Sequence, residues 1–408
     1  MTKQDRLGLF RNRDFAIYWL GGALSSAGTS LQSVAASVYI FTLTGSPLMV
    51  GVLNFAYFSP VLLLSLYGGV LADRYDRQRL VIVCQTVSLL LATTLTVLTA
   101  TGRVTPALVI ALSFGMGAAY SLAKPALSAL LPALVPRTDL AHATAINSIQ
   151  FVGGGVVGST VAALVLAFRG PEWAFGLNAL TFLGPITAML LIRLPTEIEF
   201  KKTATSGLSA LVEGLRYVRG DATMVVVIAA VVMTNGAVEA LRTLAPTFAT
   251  EILGQPASAT GTIVAAGSVG ALIALLSFGW VHRRIPGFQL ASLGFVLQGV
   301  GAALFALSPI YPLSLLAAMP IGLGFSFNTA VLNSRLQELS PEEFRGRVMS
   351  TFAMAHLGMR PFSALLAGAL ASVAGARVAM LAFALVAPLG LWILYRGTKG
   401  RVETAPAT

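Results

Sequence analysis

Apolar residues in this chain run in blocks, and the blocks recur at the length a lipid bilayer demands. They fall at about 15–42, 47–72, 80–100, 105–131, 141–168, 173–194, 222–248, 258–281, 287–308, 311–334, 347–372 and 376–396. Each reaches the roughly 20 residues that a helix needs to cross the hydrocarbon core. Period-two alternation, the mark of a membrane barrel, is not sustained anywhere, so the twelve blocks are expected as helices. The first block is too long for a signal-peptide core and is expected to remain as the first helix.

Composition agrees with this pattern. Of 408 residues, 56% are hydrophobic and only 11% charged, with a mean hydropathy of +0.81. A soluble domain wets its surface with about 25% charged residues, so a soluble fold is excluded. The lone Cys84 excludes a disulfide scaffold. A net charge of +11 would suggest nucleic acid in a soluble protein, but its distribution argues otherwise. With the N-terminus inside, 22 of the 27 basic residues fall on the inner side, Lys124 and Arg137 being counted around the fourth connection. Arg103, Arg169 and Arg377 fall outside, and Arg242 and Arg360 lie within spans. Both termini are therefore expected in the cytoplasm, and no nucleic-acid partner is implied.

The spans divide into two sixes. The expected organisation is a cytoplasmic N-terminus (1–14), a bundle (15–194), a cytoplasmic linker (195–221), a second bundle (222–396) and a cytoplasmic tail (397–408). Leu208, Leu211, Leu215 and Val218 in the linker recur at helical spacing, which predicts an amphipathic helix on the inner membrane surface. Gly115-Met-Gly117-Ala-Ala-Tyr-Ser matches Gly322-Leu-Gly324-Phe-Ser-Phe-Asn at an offset of 207, and Val135-Pro136 answers Ser340-Pro341 at 205. Offsets near half the chain indicate internal duplication. The fold class is thus an all-α membrane protein with twelve helices in two pseudo-repeats around a central cavity, a plan suited to alternating access.

The second connection reads Gly69-Val-Leu-Ala-Asp73-Arg74-Tyr-Asp76-Arg77-Gln-Arg79. Gly69 is expected to allow close helix approach, and Asp73 to be held by a helix end and the arginines Arg74, Arg77 and Arg79, forming a cytoplasmic gate. This loop resembles the signature Gly-x-x-x-Asp-Arg/Lys-x-Gly-Arg/Lys-Arg/Lys of the major facilitator superfamily, with Asp76 in place of the usual glycine. Phe10-Arg-Asn-Arg-Asp-Phe-Ala-Ile-Tyr-Trp19, residues 68–77 and Glu342-Glu-Phe-Arg-Gly-Arg347 further resemble the branch containing enterobactin exporters and macrolide efflux proteins. The resemblance implies proton-driven export of a bulky, amphipathic small molecule. The fifth block carries Gly153-Gly-Gly-Val-Val-Gly158 without the proline that usually ends the drug-antiporter signature there.

Ionisable residues inside spans are costly and point to mechanism. Glu239 is the one acidic residue deep in an expected span, with Arg242 a turn later and His356 and Arg360 sharing a face of the eleventh. A low dielectric disfavours a bare carboxylate and a guanidinium stabilises it, so Glu239 is expected either as the proton-coupling group, with Arg242 or Arg360 its switchable partner, or as part of a static neutralised pair that locks helices together. Arg360-Pro361 marks an expected kink. Gln32, Asn54, Asn147, Gln150, Asn235 and Asn328 are candidate cavity-lining groups or interhelical hydrogen-bonding groups, and Phe151, Phe325 and Phe327 candidate aromatic surface.

His142, His282 and His356 are scattered, and neither metal-ligand spacing nor a phosphate-binding loop is present. An enzyme is not expected, nor a cofactor beyond a proton gradient. The expected partners are a small-molecule substrate, protons and the bilayer, with the chain acting as a monomer in a bacterial inner membrane. Two other readings stand beside export: a lysophospholipid or lipid flippase, and a membrane sensor that does not transport.

Overall fold

The computed structural model describes residues 8–193 and 207–402. Lys3, Arg6, linker residues 195–206 and the tail beyond Val402 lie outside the described residues, as do the side chains of Leu208, Leu211, Arg396, Lys399 and Arg401. The described chain is helical throughout: α1 Arg13–Thr44, α2 Pro47–Arg74, α3 Arg77–Ala100, α4 Pro106–Leu134, α5 Leu140–Phe168, α6 Pro171–Thr181, α7 Leu183–Leu191, α8 Gly207–Gly220, α9 Ala222–Thr234, α10 Gly236–Thr247, α11 Ala259–His282, α12 Gly287–Leu307, α13 Tyr311–Leu339, α14 Arg345–Ala374, α15 Ala376–Ala384 and α16 Val386–Val402.

Eleven spans among the described residues are both long and apolar enough to cross a membrane. The first expected span, α1, is long enough at 32 residues. Its hydropathy is lowered by Ser25, Ser26, Thr29, Ser30, Gln32, Ser33 and Ser37. Several of these hydroxyls and amides bond within the protein, as Thr29 does to the Ser25 carbonyl at 2.8 Å, so α1 carries polar atoms without exposing them bare to lipid.

Helix starts follow local chemistry. Proline occupies the first position of α2, α4 and α6, where its missing N–H costs nothing. Asn12 Oδ1 accepts from the backbone N–H of Asp14 and Phe15 ahead of α1. Asp221 does the same for Thr223 and Met224 in α9. Between α14 and α15, Gly375 turns the chain at φ +85°, a conformation side chains rarely adopt.

Three spans are interrupted where the sequence pattern predicts continuous helices. The α6–α7 and α15–α16 breaks, at Phe182 and Leu385, each precede a proline by three residues: Pro185 and Pro388. Those prolines cannot donate to the carbonyls of Thr181 and Ala384, one turn earlier. The α9–α10 break has another cause. The Asn235 side-chain Nδ2 donates to the Val231 carbonyl at 3.0 Å, and the Asn235 backbone N–H turns to Val232 instead. By contrast α14 runs through Pro361 as one helix of 30 residues.

The chain forms two compact units. Unit 1 comprises Met1–Thr44, Ala56–Gly207 and Ala257–Ala265; unit 2 comprises Gly45–Phe55, Leu208–Pro256 and Ala266–Thr408. The core of unit 1 gathers Phe15, Tyr18, Val81, Leu130, Leu134 and Met189. In unit 2 the core gathers Met224, Val227, Phe295, Val331, Leu336, Val348 and Phe352.

Glycine contacts refine the register of the internal repeat. A Cβ on Gly117 would lie 2.0 Å from the Tyr57 carbonyl of α2, and one on Gly322 would lie 1.8 Å from the Gly267 carbonyl of α11. Gly115 instead faces Leu91 of α3, as Gly324 faces Gly294 of α12. The equivalent pair is therefore Gly117 and Gly322, an offset of 205 that also aligns Tyr120-Ser121 with Phe325-Ser326 and agrees with the Val-Pro/Ser-Pro match. The offset of 207 read from the two Gly-x-Gly motifs is two residues out of register.

The linker helix also departs from expectation. Val218, expected on a membrane-facing side, is buried in the unit 2 core, while Leu215 is 39% exposed. Helix α8 docks on the start of α14: Glu213 pairs with Arg347 at 2.9 Å, Tyr217 stacks on Phe344 at 4.5 Å, and a Cβ on Gly214 would meet the Arg347 carbonyl at 2.2 Å.

Two stability predictions follow from these approaches. Gly214→Val should detach α8, raising protease cleavage in the linker, whereas Gly346→Ala, where a Cβ meets nothing within 4 Å, should leave the cleavage pattern unchanged. In the second connection a Cβ on Gly69 also meets nothing, but one on Gly68 lies 2.9 Å from the Ser121 carbonyl. Gly68→Val should thus cost about 1–3 kcal/mol of overpacking and lower the melting temperature in detergent. Gly69→Ala should leave that temperature within error.

Candidate functional site

The most enclosed span is the one formed by α9, α10 and the π-helical turn Phe248–Ile252. Of its apolar window 67% is buried, against 28–50% in the other ten spans. Glu239 sits in the first turn of α10, just past the Asn235 interruption, with its side chain only 2% exposed. A carboxylate there needs compensating charge, and two helices supply it. Arg360 of α14 donates from Nε to Glu239 Oε1 at 2.6 Å, and Arg242 approaches the same oxygen through Nη1 at 3.7 Å. Their exposures differ: the Arg360 side chain is 13% exposed and Arg242 39%. The tighter contact therefore joins two helices, and the looser one lies within α10 with an open side.

His356, one turn before Arg360, does not join this contact. Its ring lies flat between Phe325 and Phe352, at centroid distances of 5.6 and 5.8 Å, and its Nδ1 is buried without a hydrogen-bond partner. Phe325 thus serves His356, while Phe327 belongs to the core.

Of the six amides expected either to line a cavity or to bond between helices, four are tied into interhelical bonds. In unit 1, Gln32 of α1 bonds Asn178 of α6 and donates to Met116 Sδ of α4 at 3.0 Å. Gln150 of α5 donates to Ser26 Oγ at 3.1 Å. In unit 2, Asn54 donates to Thr243 at 3.4 Å, joining the first turns of α2 to α10. Asn328 of α13 donates to Gln298 of α12 at 3.1 Å when the Gln298 amide is turned so that its nitrogen meets the Thr234 carbonyl at 3.0 Å. Asn328 Oδ1 and Asn235 Oδ1 are buried without hydrogen-bond partners. Asn147 alone of the six keeps partial exposure, one turn from the exposed Phe151 on α5. Asn178, Thr234, Thr243 and Gln298 were absent from the sequence candidates. Two of them, Asn178 and Gln298, carried the same signal, an amide inside an apolar block.

The motif of the second connection is arranged around Arg77. Its Nη2 lies 4.0 Å from Asp73 Oδ1, while Nε and Nη1 donate to the carbonyls of Ala72 and Ala129 at 3.3 Å. Arg74 and Arg79 are exposed. Gly69 makes no close approach; its neighbour Gly68 does, against α4, which corrects the role expected of Gly69. Asp76, the departure from the superfamily pattern, caps α3 by accepting from the Arg79 N–H at 2.7 Å. Gln78 crosses to the carbonyls of Met189 and Ile192 at the end of α7.

The N-terminal signature is likewise a staple. Asn12 donates to the Leu134 carbonyl at 2.7 Å, Tyr18 to Leu127 at 3.1 Å and Trp19 to Ile146 at 3.2 Å, with Phe10 edge-on to Phe15 and Trp19.

Comparison with known proteins agrees with this architecture. The profile of the transmembrane secretion effector family matches residues 5–405. Enterobactin exporters EntS of Shigella boydii and Escherichia coli are 27% identical over 395 residues, covering 93% of this chain and 89% of theirs. That of Salmonella choleraesuis is 26% identical over 384 residues, covering 93% and 90%. Among solved structures, the nucleoside transporter NupG superposes with a TM-score of 0.77 at 13% identity, covering 95% of this chain and 99% of that one. An inward-facing, occupied bacterial homologue of the human lysosomal transporter Spinster gives 0.74 at 12%, covering 98% and 99%. These two structures bear on the fold alone. With a helical, multi-span architecture and a family profile matched from residue 5 to 405, the chain belongs to the transmembrane secretion effector family of major facilitator transporters.

Proposed function

We propose that this transporter is a proton-coupled exporter of a bulky, amphipathic small molecule, working by alternating access as a monomer in a bacterial inner membrane with both termini in the cytoplasm. The observation that carries the coupling is the Glu239 carboxylate, 2% exposed and held by Arg360 at 2.6 Å and Arg242 at 3.7 Å. The two guanidiniums supply the charge that a buried carboxylate needs. A movement of α14 relative to α10, or a ligand that draws Arg242 or Arg360 away, strands the carboxylate, which then takes a proton; restoring the contact expels it. The proton gradient serves as the energy source, without a bound cofactor. The outward direction is supported by likeness over most of the chain to proteins named enterobactin exporters. The Asp73–Arg77 contact, with Arg74 and Arg79 exposed beside it, serves as the inner gate.

The coupling is tested in proteoliposomes under an imposed pH gradient. Wild type should accumulate dye and move protons together, and Glu239→Gln should lower gradient-driven transport by at least about tenfold, the loss of one charge-assisted contact. Full proton-coupled transport by Glu239→Gln would exclude the role given to Glu239, and lipid movement without proton flux would favour a flippase.

The ion contact also sets an order of stabilities. Glu239→Gln leaves the Arg360 guanidinium facing an amide and should cost about 3–5 kcal/mol. Adding Arg360→Gln removes the stranded charge, so the double variant should melt above Glu239→Gln in detergent.

A further inference from the structure

Lys124 lies inside the fourth apolar block, 105–131, although its charge is assigned around the fourth connection, and the structure keeps it within a span-length helix. It lies on α4, ten residues before the last residue Leu134, about 15 Å from the helix end at 1.5 Å per residue. A lysine near a helix end can reach back to the interface. Lys124 turns the other way. Its Nζ lies 6.0 Å from the ring centroid of Tyr120, one turn deeper on α4, and 5.7 Å from that of Phe151 on α5.

Three features distinguish this arrangement. Lys124 forms no ion pair among the described residues, unlike Arg242 and Arg360. Its side chain is exposed, and Phe151 is 54% exposed. An ammonium at this depth does not face acyl chains, because an unpaired charge in hydrocarbon is too costly, so it faces water. Two aromatic faces fix its position by cation–π attraction while leaving its hydrogen-bonding capacity uncommitted. Asn147, one turn before Phe151, adds a partly exposed amide on the same side of α5.

The charge inventory points in the same direction. More than two turns from a span end, the charged side chains among the described residues are Lys124, Arg242, Arg360 and Glu239. Within unit 1 Lys124 is the one charge among them, with no carboxylate at that distance from a span end, and an anionic ligand would balance it.

We propose that Lys124, Tyr120 and Phe151 form a subsite in unit 1 for an aromatic anion, whose carboxylate, sulfonate or phenolate pairs with the Lys124 ammonium and whose ring lies against Phe151. This rests on the transport reading and narrows its substrate class from amphipathic to anionic and aromatic. Phe151 supplies sequence-tolerant stacking area, and Lys124 supplies the discrimination by charge.

The test uses the full chain in nanodiscs of uncharged lipid and two probes of matched shape. 8-Anilinonaphthalene-1-sulfonate is an anion, and N-phenyl-1-naphthylamine has nearly the same rings without the charge. Wild type should bind the sulfonate tighter than the amine. Lys124→Gln should weaken the sulfonate about tenfold and leave the amine unchanged, and Lys124→Arg should retain the preference. Phe151→Leu should weaken both probes alike. The inference is overturned if wild type does not bind the sulfonate, if Lys124→Gln binds it as wild type does, or if both probes weaken equally in Lys124→Gln. Transport of the same probes in proteoliposomes separates the two readings. Charge-selective binding without movement would reject export and keep the subsite; movement of both probes irrespective of charge would keep export and reject the subsite.

Discussion

A carboxylate buried in an apolar helix is tolerable only while cations stay beside it, and much of unit 2 is organised to keep them there. Glu239 lies on the most enclosed span of the chain. Its partner Arg360 comes from another helix, so the ion contact also sets the position of α14 against α10. Asn235 interrupts the span one turn earlier by giving its side chain to the Val231 carbonyl. The carboxylate therefore lies in the first turn of a new helix, the end at which the helix dipole favours negative charge. Buried ion pairs are weak sources of net stability, but losing one partner is expensive. That asymmetry ties Arg360 of α14 to Glu239 of α10, because either partner alone would be stranded.

Within each unit the helices are held by two other kinds of interaction. Glycines let backbones approach closely, as Gly117 does against α2 and Gly322 against α11. Amides and hydroxyls bridge helices, as Gln32 does with Asn178 and Gln298 with Asn328. In hydrocarbon, apolar contact between helices gains little over contact with lipid, so close packing and hydrogen bonds carry the specificity of association.

The stretches that carry the family likeness have structural positions in common. Asn12, Tyr18 and Trp19 tie the start of α1 to α4 and α5. Asp76 and Gln78 fix the start of α3. Phe344 and Arg347 receive the linker helix. All lie within two turns of helix ends and bond backbone or neighbouring helices. This explains why such motifs identify the family so well and say so little about the molecule carried.

Much of the architecture was legible along the chain, because a bilayer imposes one length and one hydropathy on every span. Each expected block corresponds to one observed helix or to a helix pair, within a few residues except where Arg335–Leu339 extends α13 and residues 397–402 extend α16. Glu239, Arg242 and Arg360 were legible as well, since a charge inside an apolar block stands out. What sequence could not supply was partnership and facing. The pattern does not say whether Gly68 or Gly69 meets α4, or that two Gly-x-Gly motifs match out of register, because a shift of one or two residues turns a helical position by 100° or 200°. Nor does it say that Lys124 lies over the rings of Tyr120 and Phe151. Length and hydropathy are local properties and belong to the sequence; which side chain faces which helix depends on packing, and only the tertiary structure decides it.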